Sequence, residues 1–193
     1  MILSLLRPCS SAFIAALAAF FFSSCQSVPP VPEIVEAAPA PLYQWQGDGL
    51  TGRVAIRIDL SDQKAYVTRG GVPAGWSYVA AGTPGHPTPP GSFSIIEKVQ
   101  DKHSNAWGAI LDASGNVVVN DAKNGRDPVP PGGRFAGAPM PYWMRIRGAI
   151  GMHAGHIPEP GSPASHGCIR FPEEMAAILF SISPLGTPVQ VVR

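Results

Sequence analysis

The chain has 193 residues, of which 45% are hydrophobic and 14% are charged, and its formal net charge is +1. The apolar content supports the packed core of one domain and argues against a disordered chain. The near-neutral charge argues against a nucleic-acid partner, which calls for a large basic excess. The 21 glycines and 22 prolines favour a turn-rich β protein over a helical bundle, because both residues interrupt helices.

The N-terminal segment has the layout of an export signal. Arg7 precedes an apolar run at 12–22, and small residues follow it. The segment then reads F-S-S-C and ends at Cys25, which resembles the lipobox of bacterial lipoproteins, where this cysteine becomes the first mature residue and carries lipid. The resemblance implies a signal peptide at 1–24, a lipid anchor as the sole membrane contact and, with Gln26 next, the periplasmic face of the outer membrane. A retained signal-anchor is the alternative.

A proline-rich stretch follows the predicted lipid site, with five prolines from Pro29 to Pro41. Such a composition favours extended polyproline geometry and offers little to pack. We therefore interpret residues 25–49 as a tether and expect the folded domain at 50–193.

Strand patterns dominate this domain. Residues 53–60 alternate apolar and polar side chains with the period of a half-buried strand, and 64–68 return as a hairpin. Further strands are predicted at 76–80, 92–97, 116–120 and 187–192. Residues 124–141 are rich in glycine and proline, so we expect a long loop there. Only 172–181 has a helical pattern, and the predicted fold class is therefore mainly β with one short helix.

The cysteine count directs attention to Cys168. Cys9 lies in the export signal and Cys25 at the lipid site, so Cys168 is the single cysteine of the predicted domain. A lone cysteine outside the cytoplasm has no intramolecular disulfide partner. It is therefore either an inert buried thiol or a catalytic nucleophile.

Reactive side chains are densest between residues 151 and 170, where the chain carries His153, His156, His166 and Cys168. A thiol becomes a nucleophile on deprotonation, and a neighbouring imidazole supports that step. His166 points to the same side as Cys168 if the chain between them is extended. His153 ends a predicted buried strand, and the glycine- and proline-rich loop after it could fold back to Cys168. Either histidine is therefore a candidate base.

Two neighbours of Cys168 suit an acyl-transfer pocket. Gly167 has no side chain to block a substrate carbonyl, and backbone N–H groups there could stabilise an oxyanion. Arg170 could hold a carboxylate through two parallel hydrogen bonds. Zinc is the chemical alternative, but the segment lacks a Cys-x-x-Cys pair or a His-Glu-x-x-His helix, so neither a metal nor another cofactor is predicted.

The motif Ser165-His-Gly-Cys-Ile-Arg170, with His153 upstream, closely resembles the signature of the L,D-transpeptidase catalytic domain (YkuD) family. A second segment, A-G-T-P-G-H-P-T-P-P-G-S-F at 81–93, is similar to another segment of that family. The resemblance extends over roughly residues 52–193, which is nearly all of the predicted domain.

The resemblance implies a β-sandwich-like domain with Cys168 as the nucleophile and His153 as the general base, oriented by the backbone carbonyl of Ala154. It also assigns Thr88 to a structural turn beneath the site. The substrate and oxyanion pocket is expected to be lined by Ser165, His166, Gly167 and Arg170. Among the tryptophans, Trp143 is the best candidate for a substrate contact.

The activity that the resemblance implies is peptidoglycan cross-linking. The thiolate attacks a diamino-acid carbonyl in a stem tetrapeptide, expels the terminal D-alanine and forms a thioester, which a side-chain amine of a second stem then attacks. With the same acyl-enzyme, the acceptor could instead be water, giving a carboxypeptidase, or a protein amine. A non-catalytic wall-binding module and a cysteine peptidase of another family are the remaining alternatives.

Overall fold

The structure is a computed structural model, and it describes residues 40–193, which contain eleven strands and one helix. The predicted export signal, Cys9, Cys25 and nearly all of the proline-rich stretch lie outside the described residues. Within 40–193, no helix has both the length and the apolar character needed to span a membrane.

The first sheet contains six strands. They are β1 (Tyr43–Trp45), β2 (Val54–Asp59), β3 (Lys64–Arg69), β4 (Val72–Tyr78), β5 (Gly91–Ser94) and β11 (Pro188–Val192). Their order across the sheet is β1-β4-β3-β2-β11-β5. β2 and β3 form the predicted antiparallel hairpin, and β11 lies parallel to β2. The strand predicted at 76–80 begins earlier, at Val72, and β1 lies before the predicted start of the domain at residue 50.

The second sheet contains five strands and carries the segments that proved richest in reactive residues. Its members are β6 (Glu97–Leu111), β7 (Val117–Lys123), β8 (Arg134–Arg147), β9 (Ile150–Ala154) and β10 (Ile169–Phe171). Their order is β10-β9-β8-β6-β7, with β10 parallel to β9. Helix α1 (Glu173–Ile182) follows β10 directly and confirms the helix that was predicted one residue earlier.

Both sheets and the helix share one apolar core. Ile56 of β2 and Val67 of β3 pack in the same buried cluster as Met144 of β8, Met152 of β9 and Leu179 of α1. Burying a side chain of this size contributes about 1.5–3 kcal/mol, so the shared core holds the two sheets together. The mainly β, sandwich-like class with one helix is confirmed.

The long loop predicted at 124–141 was wrong for its second half, because residues from Arg134 onward belong to β8. Gly137 pairs with Gly108 of β6, and a Cβ atom on Gly108 would lie 2.0 Å from the carbonyl oxygen of Ala136. The glycines therefore permit a close approach of two strands. In the described residues, β9 pairs with β8 only from Met144 onward, which leaves an edge where the prolines of β8 need no N–H partner.

Candidate active site

The cysteine and histidines predicted from the sequence converge on a cavity of about 540 Å³. Of the predicted site residues, the following line it: Cys168, His153, His166, Arg170, Ser165 and Trp143. Gly167 does not line the cavity, although both of its chain neighbours do. Among residues 40–193, no three His, Cys, Asp or Glu side chains converge as they would around a metal ion.

The parallel pairing of β9 and β10 brings the two ends of the motif to this cavity. In the register of the two strands, Arg170 lies opposite His153. Cys168 comes just before β10, and its thiol lies 3.7 Å from the carbonyl oxygen of Ala149, just before β9. The loop between His153 and Cys168 therefore folds back as the sequence predicted, and both side chains face one cavity.

The imidazole of His153 is held in one orientation. The side chain is only 5% exposed, and its Nδ1 lies 2.8 Å from the carbonyl oxygen of Ala154, so the predicted hydrogen bond is present. A carbonyl oxygen only accepts, so Nδ1 carries the proton and the lone pair is on Nε2. The indole ring of Trp143 lies 6.1 Å from the imidazole, centroid to centroid.

Trp143 is almost fully buried, with 2% of its surface exposed, and its Nε1 donates a hydrogen bond of 2.9 Å to Glu97. The ring thus forms the wall behind His153 rather than an open platform. In this position the Trp143 ring packs against the imidazole of His153. The contact between Trp143 and substrate stays a prediction.

Burial keeps both the base and the thiol uncharged. It lowers the pKa of His153 to about 4, the hydrogen bond to Ala154 opposes that shift, and the charge of Arg170 adds to it. Burial also raises the pKa of the Cys168 thiol, although the N–H of Gly151 and the charge of Arg170 act in the opposite direction. At neutral pH the site therefore contains a thiol and a neutral imidazole, not a thiolate and an imidazolium.

Ser165 and Gly167 shape the bend that carries the nucleophile. The Ser165 hydroxyl accepts a hydrogen bond of 3.0 Å from the Gly167 N–H and donates one to the carbonyl of Cys168. The Gly167 N–H is therefore engaged within the bend, and the stabilisation of an oxyanion by other backbone N–H groups there stays a prediction. Gly167 has a φ of 110°, a left-handed conformation that favours glycine, so its role here is conformational.

Thr88 ties the upstream proline-rich turn to this bend, as the family resemblance implied. Its Oγ1 accepts a hydrogen bond of 2.8 Å from the N–H of Gly82 and donates one of 2.8 Å to the carbonyl of Gly167. A Cβ atom on Gly82 would lie 2.0 Å from the carbonyl oxygen of His86, so only glycine fits this approach. The turn therefore supports the nucleophile from below.

His166 is held by groups outside the reacting pair. Its ring stacks on Trp107 at 3.7 Å and 13°, its Nε2 lies 3.4 Å from Asp121, and the His86 ring is 4.8 Å away. The chain bends at this point, so the extended geometry that would aim His166 and Cys168 the same way is not present. These contacts favour His153 over His166 as the base.

Several residues that shape the site had no clear signal in the sequence. No local pattern in the sequence connects Trp107 or Asp121 with the nucleophile bend. Gln63 is buried, and its Oε1 accepts a hydrogen bond of 2.8 Å from the N–H of Ala81, which leads into the turn beneath the site. The one sequence signal for this contact is the position of Gln63 in the turn between β2 and β3, where a buried polar side chain needs a hydrogen-bond partner.

Arg170 directs its charge toward the cavity. A Cβ atom on Gly155 would lie 2.9 Å from the Arg170 Cγ, so the arginine stem lies directly against the glycine backbone. Among residues 40–193, no carboxylate oxygen lies within 4.0 Å of its guanidinium group. The predicted carboxylate-binding group is thus available beside Cys168 and His153.

The chain is similar to one family of catalytic domains over most of its length. The family model described as L,D-transpeptidase catalytic domain (YkuD) matches residues 53–191. No curated protein sequence matches the chain.

Solved structures share the fold. An L,D-transpeptidase from Mycobacterium smegmatis is 20% identical with a TM-score of 0.55, and the match covers 73% of this chain and 59% of that chain. An Enterococcus faecium L,D-transpeptidase is 26% identical with a TM-score of 0.54, covering 74% and 50%. The catalytic domain from E. faecium is 27% identical with a TM-score of 0.52, covering 75% and 100%. The match thus spans 59% and 50% of the first two proteins and all of the isolated domain.

Proposed function

Since the chain belongs to the L,D-transpeptidase catalytic domain (YkuD) family, we propose that it cross-links peptidoglycan stem peptides through a thioester on Cys168. The observation that carries the proposal is the single cavity shared by the Cys168 thiol and the His153 imidazole, whose Nδ1 is fixed by Ala154. The donor is a stem tetrapeptide, and the acceptor is a side-chain amine of a second stem.

The first half-reaction forms the acyl-enzyme. The Sγ–H bond of Cys168 breaks as sulfur attacks the diamino-acid carbonyl carbon, and Nε2 of His153 accepts the proton. We assign stabilisation of the oxyanion to the Cys168 N–H, because Ser165 already binds the N–H of Gly167. When the C–N bond breaks, His153 returns the proton to the amine of the leaving D-alanine, and the thioester remains.

The second half-reaction uses the same base. The acceptor amine attacks the thioester carbonyl, and His153 takes up the proton that the amine loses. The C–S bond then breaks, the proton passes to sulfur, and the Cys168 thiol is restored with one new amide bond. Because His153 is neutral above a pKa of about 4, it can accept the proton in both half-reactions at neutral pH.

Arg170 binds the carboxylate of the leaving D-alanine. That carboxylate is one residue away from the attacked carbonyl, and the guanidinium group lies close enough to influence the pKa values of both Cys168 and His153. A planar guanidinium can hold a carboxylate with two parallel hydrogen bonds, which fixes the scissile bond in register with the thiol.

The direct test is incubation with tetrapeptide muropeptides, followed by mass spectrometry of protein and products. We expect a thioester adduct on Cys168, released D-alanine and cross-linked dimers, with none of these for Cys168→Ala. Loss of D-alanine without dimers identifies water as the acceptor, and wall-linked protein identifies a protein amine. No adduct in the parent, together with equal binding of parent and Cys168→Ala to sacculi, would favour a wall-binding module.

We also propose how the chain is placed in the cell envelope. The sequence layout supports a signal peptide at 1–24, a tether at 25–49 that carries lipid on Cys25, and a catalytic domain at 50–193 on the periplasmic face of the outer membrane. Metabolic labelling with a fatty-acid analogue tests the anchor. We expect label on the parent chain and none on Cys25→Ala; a labelled Cys25→Ala chain contradicts the assignment.

A further inference from the structure

The cavity wall carries an excess of fixed positive charge. Lys102, Arg145 and Arg170 line the cavity, whereas Glu97 is its one carboxylate. Glu97 is already occupied, because it accepts hydrogen bonds of 3.1 Å from Arg145 and 2.9 Å from Trp143. The charges of Glu97 and Arg145 therefore offset each other, and those of Lys102 and Arg170 remain.

Neither remaining cation is neutralised by the protein. Both side chains are half-buried, and within residues 40–193 no carboxylate oxygen lies within 4.0 Å of the charged group of Lys102 or of Arg170. Two half-buried, unpaired cations in one cavity suit a ligand that carries two negative charges, because pairing recovers part of the cost of removing them from water.

The sheet order separates the two cations along the cavity. Lys102 is on β6, opposite Met140 of β8, and Arg170 is on β10, opposite His153 of β9. Three strand spacings separate β6 from β10, and Lys102 is also displaced by three residues along the strands from the level of His153, so the two backbones are about 17 Å apart. Both side chains line the same cavity, so their charged groups can contact different parts of one stem peptide.

We propose that Lys102 binds a second carboxylate of the donor stem, so that the enzyme prefers stems with free carboxylates over stems amidated at that position. This inference rests on the proposed function, in which Arg170 holds the carboxylate of the leaving D-alanine. The second carboxylate belongs either to the side chain of the diamino acid or to the acidic residue before it. A primary amide at that position is neutral, and its N–H groups face another donor, so the ammonium loses its partner.

The test compares three synthetic donor tetrapeptides: one with both carboxylates free, one amidated on the diamino acid and one amidated on the acidic residue. The rate of Cys168 acylation is followed by intact-protein mass spectrometry. We expect kcat/KM to fall about tenfold to a hundredfold for one amidated donor and little for the other, which identifies the carboxylate that Lys102 binds.

Two variants connect that preference to Lys102. In Lys102→Gln, the free and amidated donors are expected to acylate Cys168 at similar rates. Relative to the parent, only the rate with the free donor should fall. Lys64→Gln is the matched control, because it removes the same charge from β3 of the first sheet; it should keep the preference of the parent. An unchanged preference in Lys102→Gln overturns the inference.

Binding to Cys168→Ala separates this inference from the proposed function. Calorimetry on that variant is expected to show the same preference for the free stem without any turnover. If all three donors acylate Cys168 equally well, the inference is wrong and the proposed function stands. If none acylates Cys168, the proposed function is wrong; equal dissociation constants for the free and amidated stems then overturn the inference as well.

Discussion

Cys168 and His153 enter the reaction as uncharged groups, since burial shifts the pKa of each away from its ionised form at neutral pH. In a site that stores a thiolate–imidazolium pair, the proton has moved before substrate binds. Here it moves during the attack on the carbonyl, so the lone pair on Nε2 of His153 must be positioned in advance. The hydrogen bond from Nδ1 to Ala154 provides that positioning.

The first prediction concerns the reactivity of the free thiol. Because burial raises the pKa of Cys168, the rate of alkylation by iodoacetamide should rise about tenfold per pH unit from neutral pH to at least pH ~9, without levelling off. The measurement uses a chain with Cys9→Ser and Cys25→Ser, so that one thiol reacts. A plateau below about pH 7 would reveal a stored thiolate and contradict the neutral pair.

The second prediction concerns stability in acid. The pKa of His153 falls from 6.5 in the unfolded chain to about 4 in the folded protein, so the unfolded state takes up a proton first as the pH drops. The contribution of His153 to the free energy of unfolding is complete above pH 6.5 and decreases as the pH falls toward 4. It amounts to about 3 kcal/mol in total.

Urea unfolding at neutral pH and near pH ~4 measures this effect. The free energy of unfolding of His153→Gln should decrease less over this range than that of the parent, by about 3 kcal/mol. His166, whose pKa burial also lowers, contributes with the same sign in both proteins and therefore does not affect the difference. Equal decreases in parent and variant would contradict the assigned shift.

The third prediction concerns the bend at Gly167. An alanine there must adopt a φ of 110°, so Gly167→Ala should lose about 1–3 kcal/mol of stability and most of its acylation activity. Gly85→Ala is the matched control from the adjacent turn, because Gly85 has no positive φ and open space around it. Comparable losses in the two variants would show that the conformation of Gly167 is not the cause.

At the scale of elements, the β6–β7 hairpin holds the nucleophile bend from outside. Trp107 of β6 stacks on His166, and Asp121 of β7 lies 3.4 Å from the same imidazole. An aromatic contact of this kind contributes about 0.5–1.5 kcal/mol beyond its buried area. The position of a strand pair is thereby coupled to the geometry of Cys168, two residues along the chain.

The fourth prediction tests that coupling. Trp107→Leu should lower kcat/KM for acylation by about three- to tenfold, because the bend loses one of its supports. The pH dependence of acylation should not change, since His153 and its partner are intact. Trp76→Leu on β4 of the first sheet removes an equivalent ring away from the cavity and should leave acylation unaffected. Equal activity of the two variants would exclude a role for the stack.

Elements with strict alternation could be predicted from the sequence, and β8 could not, for a physical reason. In β2, every second side chain is buried, so the period of two is visible along the chain. In β8, Gly137 allows a close approach to β6, and Pro139 lies opposite His103 of β6 in a part of the strand that does not pair with β9, so residues typical of loops serve strand pairing. Their meaning depends on neighbours that are distant in the sequence.

The same distinction applies to the site. Residue types and spacing pointed to Cys168 and left His153 and His166 as candidate bases, and the family resemblance then selected His153 with the adjacent carbonyl of Ala154. The contact of Asp121 with His166 joins residues that are distant in the sequence, and neither residue type nor spacing predicts it. Local motifs therefore identify the reacting groups, and tertiary packing decides which groups support them.

At the scale of the whole molecule, the two sheets supply different parts of the site. The second sheet carries His153, and β10 orders the nucleophile beside it. The first sheet contributes through the segment after β4, in which Ala80 exchanges hydrogen bonds with Arg170 and Thr83 donates one to Ser165. A loss of structure in either sheet therefore reaches the bend at Cys168.

The fifth prediction follows from where the first sheet begins. The sequence places the start of the domain at residue 50, yet β1 pairs with β4 upstream of that point, and Tyr43 and Trp45 pack against the core. The free energy of unfolding of a chain comprising residues 50–193 should therefore be about 2–4 kcal/mol lower than that of a chain comprising 40–193. The shorter chain lacks one strand and two partly buried aromatic side chains. Both chains keep every residue assigned to the chemistry, so each should form the thioester under conditions in which it is folded. Denaturant unfolding of the two chains measures this difference, and equal free energies of unfolding would show that β1 is not part of the cooperatively folding unit.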